Sequence, residues 1–372
     1  MSTYYTKARD FAVKYIDPVA KEIDEKEIFP AEVFKKLGEE GYFTLLIPSE
    51  LGGQGKTIKE HAEICRAFAK SCPTVGLCYM MHNVGIMTVQ ASDNKNLISR
   101  ICKDVIDNKK FLALAYSELG TGTHFNITTM DAVFNETSTT FKGVKSMVTS
   151  ALHASYYVTS TVAKDAPESD VWVFPLGAKG LDFKPNTWHG LGMRGNVSCQ
   201  MEINDVTLEK DEWFVESGAR IIEKGSVDTR YFVLGLAAVY AGLCEAILDE
   251  ALNHATSRKY PDGKALSEIE TVQIHLSKIY ASTNAAVLGV DEAVRSYLAD
   301  EPDYLAKILA ARMFSSEAAV ENARLGMRIG GGKAYNRFGN MERYLRDSYA
   351  SQIMAPSVDV LALWLGATIT EK

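Results

Sequence analysis

Arg346-Asp347-Ser348-Tyr349-Ala350-Ser351-Gln352-Ile353-Met354-Ala355-Pro356-Ser357 closes a long helical region near the C-terminus of the chain. Three consecutive glycines at positions 330–332 precede this stretch, and apolar residues recur at helix spacing before them. Pro356 removes a backbone donor and disfavours a helical residue before it, so the helix is predicted to end near this point. This part of the chain is therefore read as the last helices of a bundle.

The spacing of apolar residues divides the whole chain into three predicted domains. Residues 1–110 show helix spacing, whereas short β-prone runs separated by Gly, Asn and Asp turns occupy residues 111–225. Long helical patterns joined by short turns fill residues 226–372, which is typical of a four-helix bundle. We predict an α+β multidomain fold in which an N-terminal helical domain and a C-terminal four-helix bundle flank a β barrel or sandwich.

Composition narrows the class of protein. The chain has 372 residues, of which 47% are hydrophobic and 23% charged, and a formal net charge of −7, so no nucleic-acid partner is predicted. The N-terminus is polar and no apolar run is interpreted as long enough to span a membrane, so we expect a cytoplasmic protein without a membrane partner. Six scattered cysteines are expected to be reduced, and no ligand spacing indicates a metal site.

The first candidate binding motif is Tyr116-Ser117-Glu118-Leu119-Gly120-Thr121-Gly122-Thr123, which follows a predicted strand. A Gly-x-Gly turn lets backbone N–H groups approach a phosphate or a pyrimidine edge, and the hydroxyls of Ser117 and Thr123 add hydrogen-bond donors. A plain glycine turn between strands is the alternative interpretation.

A second candidate motif is the β-prone segment 143–150, Gly-Val-Lys-Ser-Met-Val-Thr-Ser. The thioether of Met147 can pack on an aromatic face, and Thr149 supplies a hydroxyl two residues later. A strand with a buried methionine would give the same pattern.

Together, the motifs and their order resemble the acyl-CoA dehydrogenase flavoprotein family over essentially the whole chain. The resemblance implies a bound FAD, rather than FMN, and a homotetramer or at least a dimer, because an arginine such as Arg258 contacts the FAD of a neighbouring subunit in that family. The cofactor-binding residues implied in this way are Tyr116, Ser117, Gly122, Thr123, Met147, Thr149, Arg258, Gly330, Gly331 and Ser357.

The same resemblance raises a question about the catalytic base. The family removes the α-proton of an acyl thioester with a carboxylate while hydride passes to the flavin, and this carboxylate occupies one of two positions. These positions are Ala355 and Thr229 here, and neither is acidic. Asp228 is one residue away, but a one-residue step on a helix turns a side chain by about 100°. Arg230 is a candidate for binding the substrate.

Three functions remain open at this point. The first is an acyl-CoA dehydrogenase with a relocated or altered base, which would use an acyl thioester and pass electrons to an electron-transfer flavoprotein. The second is a flavin-dependent monooxygenase of the same fold, in which His82 is the candidate pocket histidine for substrate binding or catalysis. The third is a non-catalytic flavin-binding scaffold. The FAD motifs favour the first.

Overall fold

The computed structural model describes residues 3–122, 127–164, 166–223 and 227–370. Helices precede and follow a central region of β-strands, so the predicted α+β architecture is confirmed.

The N-terminal part of the chain is helical. Helix α4 begins at a capping box in which the Thr57 side chain accepts from the Lys59 N–H and Glu60 accepts from the Thr57 N–H. Helix α5 begins at Pro73, where the missing N–H of proline costs nothing, and almost all of its residues are buried. The bounds are α1 Thr3–Tyr15, α2 Ala20–Glu25, α3 Ala31–Glu39, α4 Ile58–Ser71, α5 Pro73–Gln90 and α6 Lys95–Asn108.

Two four-stranded sheets form the centre of the molecule, with strand orders β1-β4-β5-β8 and β2-β3-β7-β6. Strand β1 runs parallel to β4, whereas the other paired strands are antiparallel. Phe141 of one sheet lies 5.1 Å from Trp172 of the other, measured between ring centroids, so aromatic side chains fill the space between the sheets. The strands are β1 Leu112–Ala115, β2 Asp131–Phe134, β3 Ser138–Val148, β4 Tyr156–Thr161, β5 Asp170–Pro175, β6 Leu181–Lys184, β7 Cys199–Glu209 and β8 Phe214–Glu216. Two short helices, α7 Lys210–Trp213 and α8 Gly218–Glu223, flank β8.

The C-terminal helices pack around one long central helix. This helix, α9, contacts α4 and α5 of the N-terminal part as well as the other long C-terminal helices. Gly331 has a φ of 54° inside α11 and bends that helix near its end. The bounds are α9 Val227–Ser257, α10 Glu270–Leu298, α11 Tyr304–Tyr335, α12 Met341–Ile353 and α13 Val358–Ile369.

Helix α9 corrects one expectation from the sequence. By length and composition the segment Thr229–Ser257 could cross a membrane, so the statement that no apolar run has that length was wrong. However, 89% of its most apolar 18-residue window is buried inside the protein. The apolar character is explained by neighbours on all sides, as expected for the core helix of a bundle.

All six cysteines are buried free thiols. Burial raises the pKa of Cys78 and of Cys244 to about 12, so neither thiol forms a reactive thiolate at neutral pH. In the described part of the chain, His, Cys, Asp and Glu form no group of three or more that could hold a metal ion.

Candidate functional site

A cavity of about 490 Å³ lies where the β domain meets helices α5, α9 and α12. It brings together predicted site residues that are far apart in the sequence. Those that line it are Tyr116, Ser117, Gly122, Met147, Thr149, Thr229 and Ala355. The predicted cofactor residue Thr123 lies outside the described residues.

A β-bulge turns Met147 toward this cavity. The register between β3 and β7 shifts between Lys145 and Val148, and Met147 between them has a φ of 52°. A bulge re-aims a side chain that regular pleating would place elsewhere, and positive φ in a non-glycine residue is typical of functional sites. Met147 is 53% exposed although it lies in the strand domain, so its thioether is available to a ligand.

Hydroxyl groups lie beside this methionine. The Oγ1 of Thr149 is 3.2 Å from the Oγ of Ser198, and both residues line the cavity. The Ser146 N–H donates to the Ser117 carbonyl at 2.7 Å, which joins the β1 loop to β3. The β-domain wall therefore combines an apolar surface with polar groups that can bind the edge of a planar ligand.

Behind the loop lies a buried ion pair that the sequence analysis missed. The Lys145 Nζ lies 2.6 Å from a Glu118 carboxylate oxygen, and their side chains are 0% and 3% exposed. Burial opposes ionisation of Glu118, but hydrogen bonds from Lys145, Thr128 and Thr129 outweigh it and lower its pKa. The sequence did contain a signal for this pair, namely a lysine inside a β-prone run. If such a lysine is buried, its charge requires a partner of opposite charge.

The loop from Trp188 to Ser198 forms another part of the wall and is held by α12. Asp347 of α12 accepts a hydrogen bond from the Met193 N–H at 2.6 Å. Burial raises the pKa of Asp347 to about 6, although Arg343 and the Met193 amide oppose the shift. A Cβ on Gly192 would lie 2.3 Å from the Arg346 carbonyl oxygen, so a residue without a side chain is needed for this close contact.

The cavity wall has few groups that could accept a proton. Both positions at which the resemblance places a carboxylate, Ala355 and Thr229, do line the cavity. Within the described residues, Glu118 is the one carboxylate in the wall, and its oxygens are occupied by Lys145 and two threonines. The backbone of Asp228 belongs to α9, but its side chain lies outside the described part of the chain.

The prediction that His82 faces the pocket is wrong. Its neighbours Met81 and Val84 line the cavity, but His82 is 0% exposed and points elsewhere because each helical step turns the side chain by about 100°. Its Nδ1 accepts from the Leu112 N–H at 3.1 Å and its Nε2 donates to the Phe43 carbonyl at 2.8 Å. Burial lowers the pKa of His82 to about 4, so it is a neutral structural residue.

Two further predicted residues make contacts away from the cavity. The guanidinium of Arg230 lies 5.0 Å from the centroid of the Tyr304 ring, so the prediction that Arg230 binds substrate is not supported by its position. The Ser357 Oγ accepts from the Val360 N–H and caps α13, which occupies it in a structural role.

The remaining cofactor candidates lie at the far end of the bundle. Arg258 follows the last residue of α9, roughly 43 Å along the helix from Thr229 at 1.5 Å per residue. It is exposed, with its guanidinium 5.5 Å from the Tyr260 ring centroid. Gly330 borders a small second cavity of about 20 Å³, and Gly331 follows it. None of these three residues lines the large cavity of its own chain.

Comparison with known proteins gives matches along the whole chain. Three family models match in order: the acyl-CoA dehydrogenase N-terminal domain over residues 3–107, the middle domain over 113–206 and the C-terminal domain over 219–368. Among solved structures, butyryl-CoA dehydrogenase from Megasphaera elsdenii has a similar fold, with a TM-score of 0.92 at 18% identity over 100% of this chain and 99% of that one.

Two curated relatives are similar over nearly their full length. The chain is 25% identical over 353 residues to the 3-(aryl)acrylate reductase of Clostridium sporogenes, covering 91% of this chain and 90% of that protein. It is 24% identical, over an alignment 374 residues long including gaps, to the caffeyl-CoA reductase-Etf complex subunit CarC of Acetobacterium woodii. That alignment covers 98% of this chain and 97% of the other protein.

Proposed function

The chain belongs to the acyl-CoA dehydrogenase family, and on that premise we propose that it is an FAD-dependent oxidoreductase that acts on the CH–CH bond of an acyl thioester. The observation that carries the proposal is the shared cavity. The same cavity is lined by Met147 and Thr149 of the β domain, by Thr229 of α9 and by Ala355, which lies between α12 and α13.

The residues present fit a flavin ring. A flavin has an aromatic face and a polar pyrimidine edge, which suit the thioether of Met147 and the hydroxyls of Ser117, Thr149 and Ser198. Gly122 lines the cavity, and a Cβ added there would meet no atom of the described residues within 4 Å. The cavity volume is in the range of sites for ligands of drug size, so it suits the ring system and an acyl group rather than a whole dinucleotide.

When bound, FAD supplies the hydride acceptor for the reaction. The chain supplies the surroundings: Met81, Val84 and Phe232 form an apolar region of the wall that suits a hydrocarbon or aryl chain and excludes water. A thioester in this region would have its α-carbon near Thr229 or Ala355, neither of which can remove a proton. We therefore propose that the base is altered or relocated, and Asp228 remains the candidate.

The test is the reductive half-reaction. The protein reconstituted with FAD is mixed without oxygen with butyryl-CoA, octanoyl-CoA or an arylpropionyl-CoA, and the oxidised-flavin absorbance is followed. We expect slow bleaching, because loss of general-base catalysis typically costs about 10²–10⁴ in rate. Failure to bind FAD, or no bleaching by any thioester during long incubation, would contradict the proposed activity.

We also propose a homo-oligomer, dimeric or tetrameric. In α13 just one residue is buried, Leu361, while Leu363 is 72% and Ile369 is 66% exposed. Leu288 of α10 is 66% exposed as well. Exposed apolar faces of this kind are typical of subunit contacts. In such an assembly the distant Arg258 could serve the FAD of another subunit.

An electron-transfer flavoprotein is the proposed redox partner. The name of the Acetobacterium woodii relative places that protein in an Etf complex. For this chain the partnership is an inference from similarity, and it is tested by measuring whether a purified electron-transfer flavoprotein reoxidises the reduced enzyme faster than buffer alone.

A further inference from the structure

The Glu118–Lys145 pair lies at the junction of four segments of the β domain. Lys145 is in β3, Glu118 follows β1, and the pair also contacts Ser160 of β4 and the segment at Thr128–Thr129. The ion pair therefore joins the loop after β1, which contains the cavity-lining residues Ser117 and Gly122, to strands β3 and β4.

Every polar group of the pair has a partner. The Lys145 ammonium donates to Glu118 at 2.6 Å, to the Ser160 hydroxyl at 3.2 Å and to the Tyr116 carbonyl at 3.3 Å. Three donors meet three acceptors, which is the full capacity of an ammonium group.

The carboxylate of Glu118 is equally satisfied. One oxygen accepts from Lys145 and from the Thr128 hydroxyl, and the other accepts from both the N–H and the hydroxyl of Thr129. A buried network with all members paired rigidifies its surroundings, whereas the loss of one member leaves a costly unpaired group.

The pair has a defined orientation toward the cavity. Glu118 belongs to the wall, whereas Lys145 lies behind it and is not among the lining residues. Gly122 lines the cavity, whereas Lys145 and its network partners Ser160, Thr128 and Thr129 do not, so the network contacts the loop away from the cavity. Of the two charged residues, Glu118 is therefore the one that borders the cavity.

We propose that Glu118 and Lys145 form a positioning pair for FAD: they hold the loop from Tyr116 to Gly122 in the shape that receives the flavin, and the carboxylate lowers the reduction potential of the bound flavin. The inference rests on the proposed function. Its electrostatic part follows because a nearby negative charge disfavours the addition of electrons to a ring in a site of low dielectric constant.

Two single substitutions test the positioning role. E118Q and K145M each leave the other buried member without its ionic partner, which disfavours the ordered loop. Because FAD binds the ordered loop, its apparent affinity should fall with the population of that state, by about ten- to hundredfold. The dissociation constant is measured by titrating apoprotein with FAD and following protein fluorescence.

The double variant E118Q/K145Q separates shape from charge. Two neutral amides can hydrogen-bond to each other, so the double variant should bind FAD more tightly than either single variant, and its flavin should have a more positive midpoint potential than the wild type. E245Q is the matched control, because Glu245 is a mostly buried carboxylate near Arg66 and Tyr5, away from the cavity. It should change neither FAD affinity nor potential.

The outcomes distinguish this inference from the proposed function. If the wild type binds FAD and all three variants match it in affinity and potential, the pair has no positioning role. A double variant with restored affinity and an unchanged potential overturns the electrostatic part. If the wild type itself binds no FAD, the proposed function fails first, and with it the basis of the inference.

Discussion

Ala355→Glu is expected to convert this protein into a faster acyl-CoA dehydrogenase. Ala355 lines the cavity just after the end of α12, together with Ile353 and Met354. A glutamate side chain from this position extends into the cavity, where the family resemblance places the base. The substitution therefore restores the missing carboxylate without changing the rest of the wall.

The size of the effect follows from the surroundings. The wall near position 355 is apolar, and burial raises the pKa of a carboxyl group. The C-terminal end of α12 carries a partial negative charge, which raises the pKa further. No arginine or lysine is among the described residues that line the cavity, so no cationic side chain there opposes these shifts. The N-terminus of α13, which begins at Val358, opposes them in part, so we expect a pKa near neutrality rather than far above it. A base whose pKa approaches neutrality is effective, and we expect bleaching by a saturated thioester to accelerate about 10²–10⁴-fold.

The assay is anaerobic stopped-flow mixing of FAD-loaded protein with butyryl-CoA or octanoyl-CoA. It is run from about pH 6 to about pH 9, a range that spans the titration of a carboxyl group whose pKa is raised toward neutrality. Ala355→Gln is the control, because it adds a similar volume but cannot accept the proton. The Glu variant should gain rate with rising pH as the new carboxyl ionises, and the Gln variant should stay slow at every pH.

Two results would refute this reasoning. If the wild type already bleaches as fast as the Glu variant, another group acts as the base, and Asp228→Asn becomes the next substitution to measure. If the Glu and Gln variants are equally fast, the effect of position 355 is one of volume rather than proton transfer.

Three other predictions concern the frame around the site. His82→Gln removes the titration of the imidazole while supplying an amide that has both an acceptor and a donor. Because the folded pKa of about 4 lies below the ordinary value of 6.5, the wild type loses stability as the pH falls through this window, by about 2 kcal/mol at pH 5. The variant should therefore lose less stability than the wild type between pH 7 and 5 in urea unfolding. Leu363→Glu should shift the protein to smaller species in light scattering after gel filtration, with far-UV circular dichroism unchanged; an unchanged mass would exclude this face from the interface. Gly192→Ala should destabilise the protein by about 1–3 kcal/mol and weaken FAD binding, since its Cβ would overlap the Arg346 carbonyl. Gly177→Ala is the control, because its Cβ would meet no atom within 4 Å and its backbone does not have a positive φ.

The architecture could be predicted because helices and strands leave different spacings of apolar residues in the sequence. Helix spacing on both sides of a β-prone region was enough for the α+β order, and the resemblance in the loops at 116–123 and 143–150 located the β-domain wall of the cavity. Ala355 and Thr229 were identified in the same way, by position within a pattern. The order of helices and strands and the positions of these loops depend on local sequence, so they could be predicted from the sequence alone.

Features that depend on side-chain direction or on distant partners were predicted poorly. His82 lies one residue from a cavity-lining methionine, yet the turn of the helix takes it into the core, and Arg230 beside Thr229 is directed to Tyr304. The contact between Asp347 and Met193 joins residues 154 positions apart. Periodicity can indicate that a residue is buried, but it does not identify the partner that satisfies it.

The burial of α9 has a consequence for how the chain is made. This helix is synthesised after α4 and α5, which cover part of it, but before α10 and α11, which complete its surroundings. Until those helices emerge, an apolar segment with the length of a membrane span is partly uncovered, and such surfaces promote aggregation. A chain truncated before α10 should therefore be recovered mainly in aggregates or bound to chaperones. Expression of the intact C-terminal half is thus a condition for the stability of the N-terminal half as well.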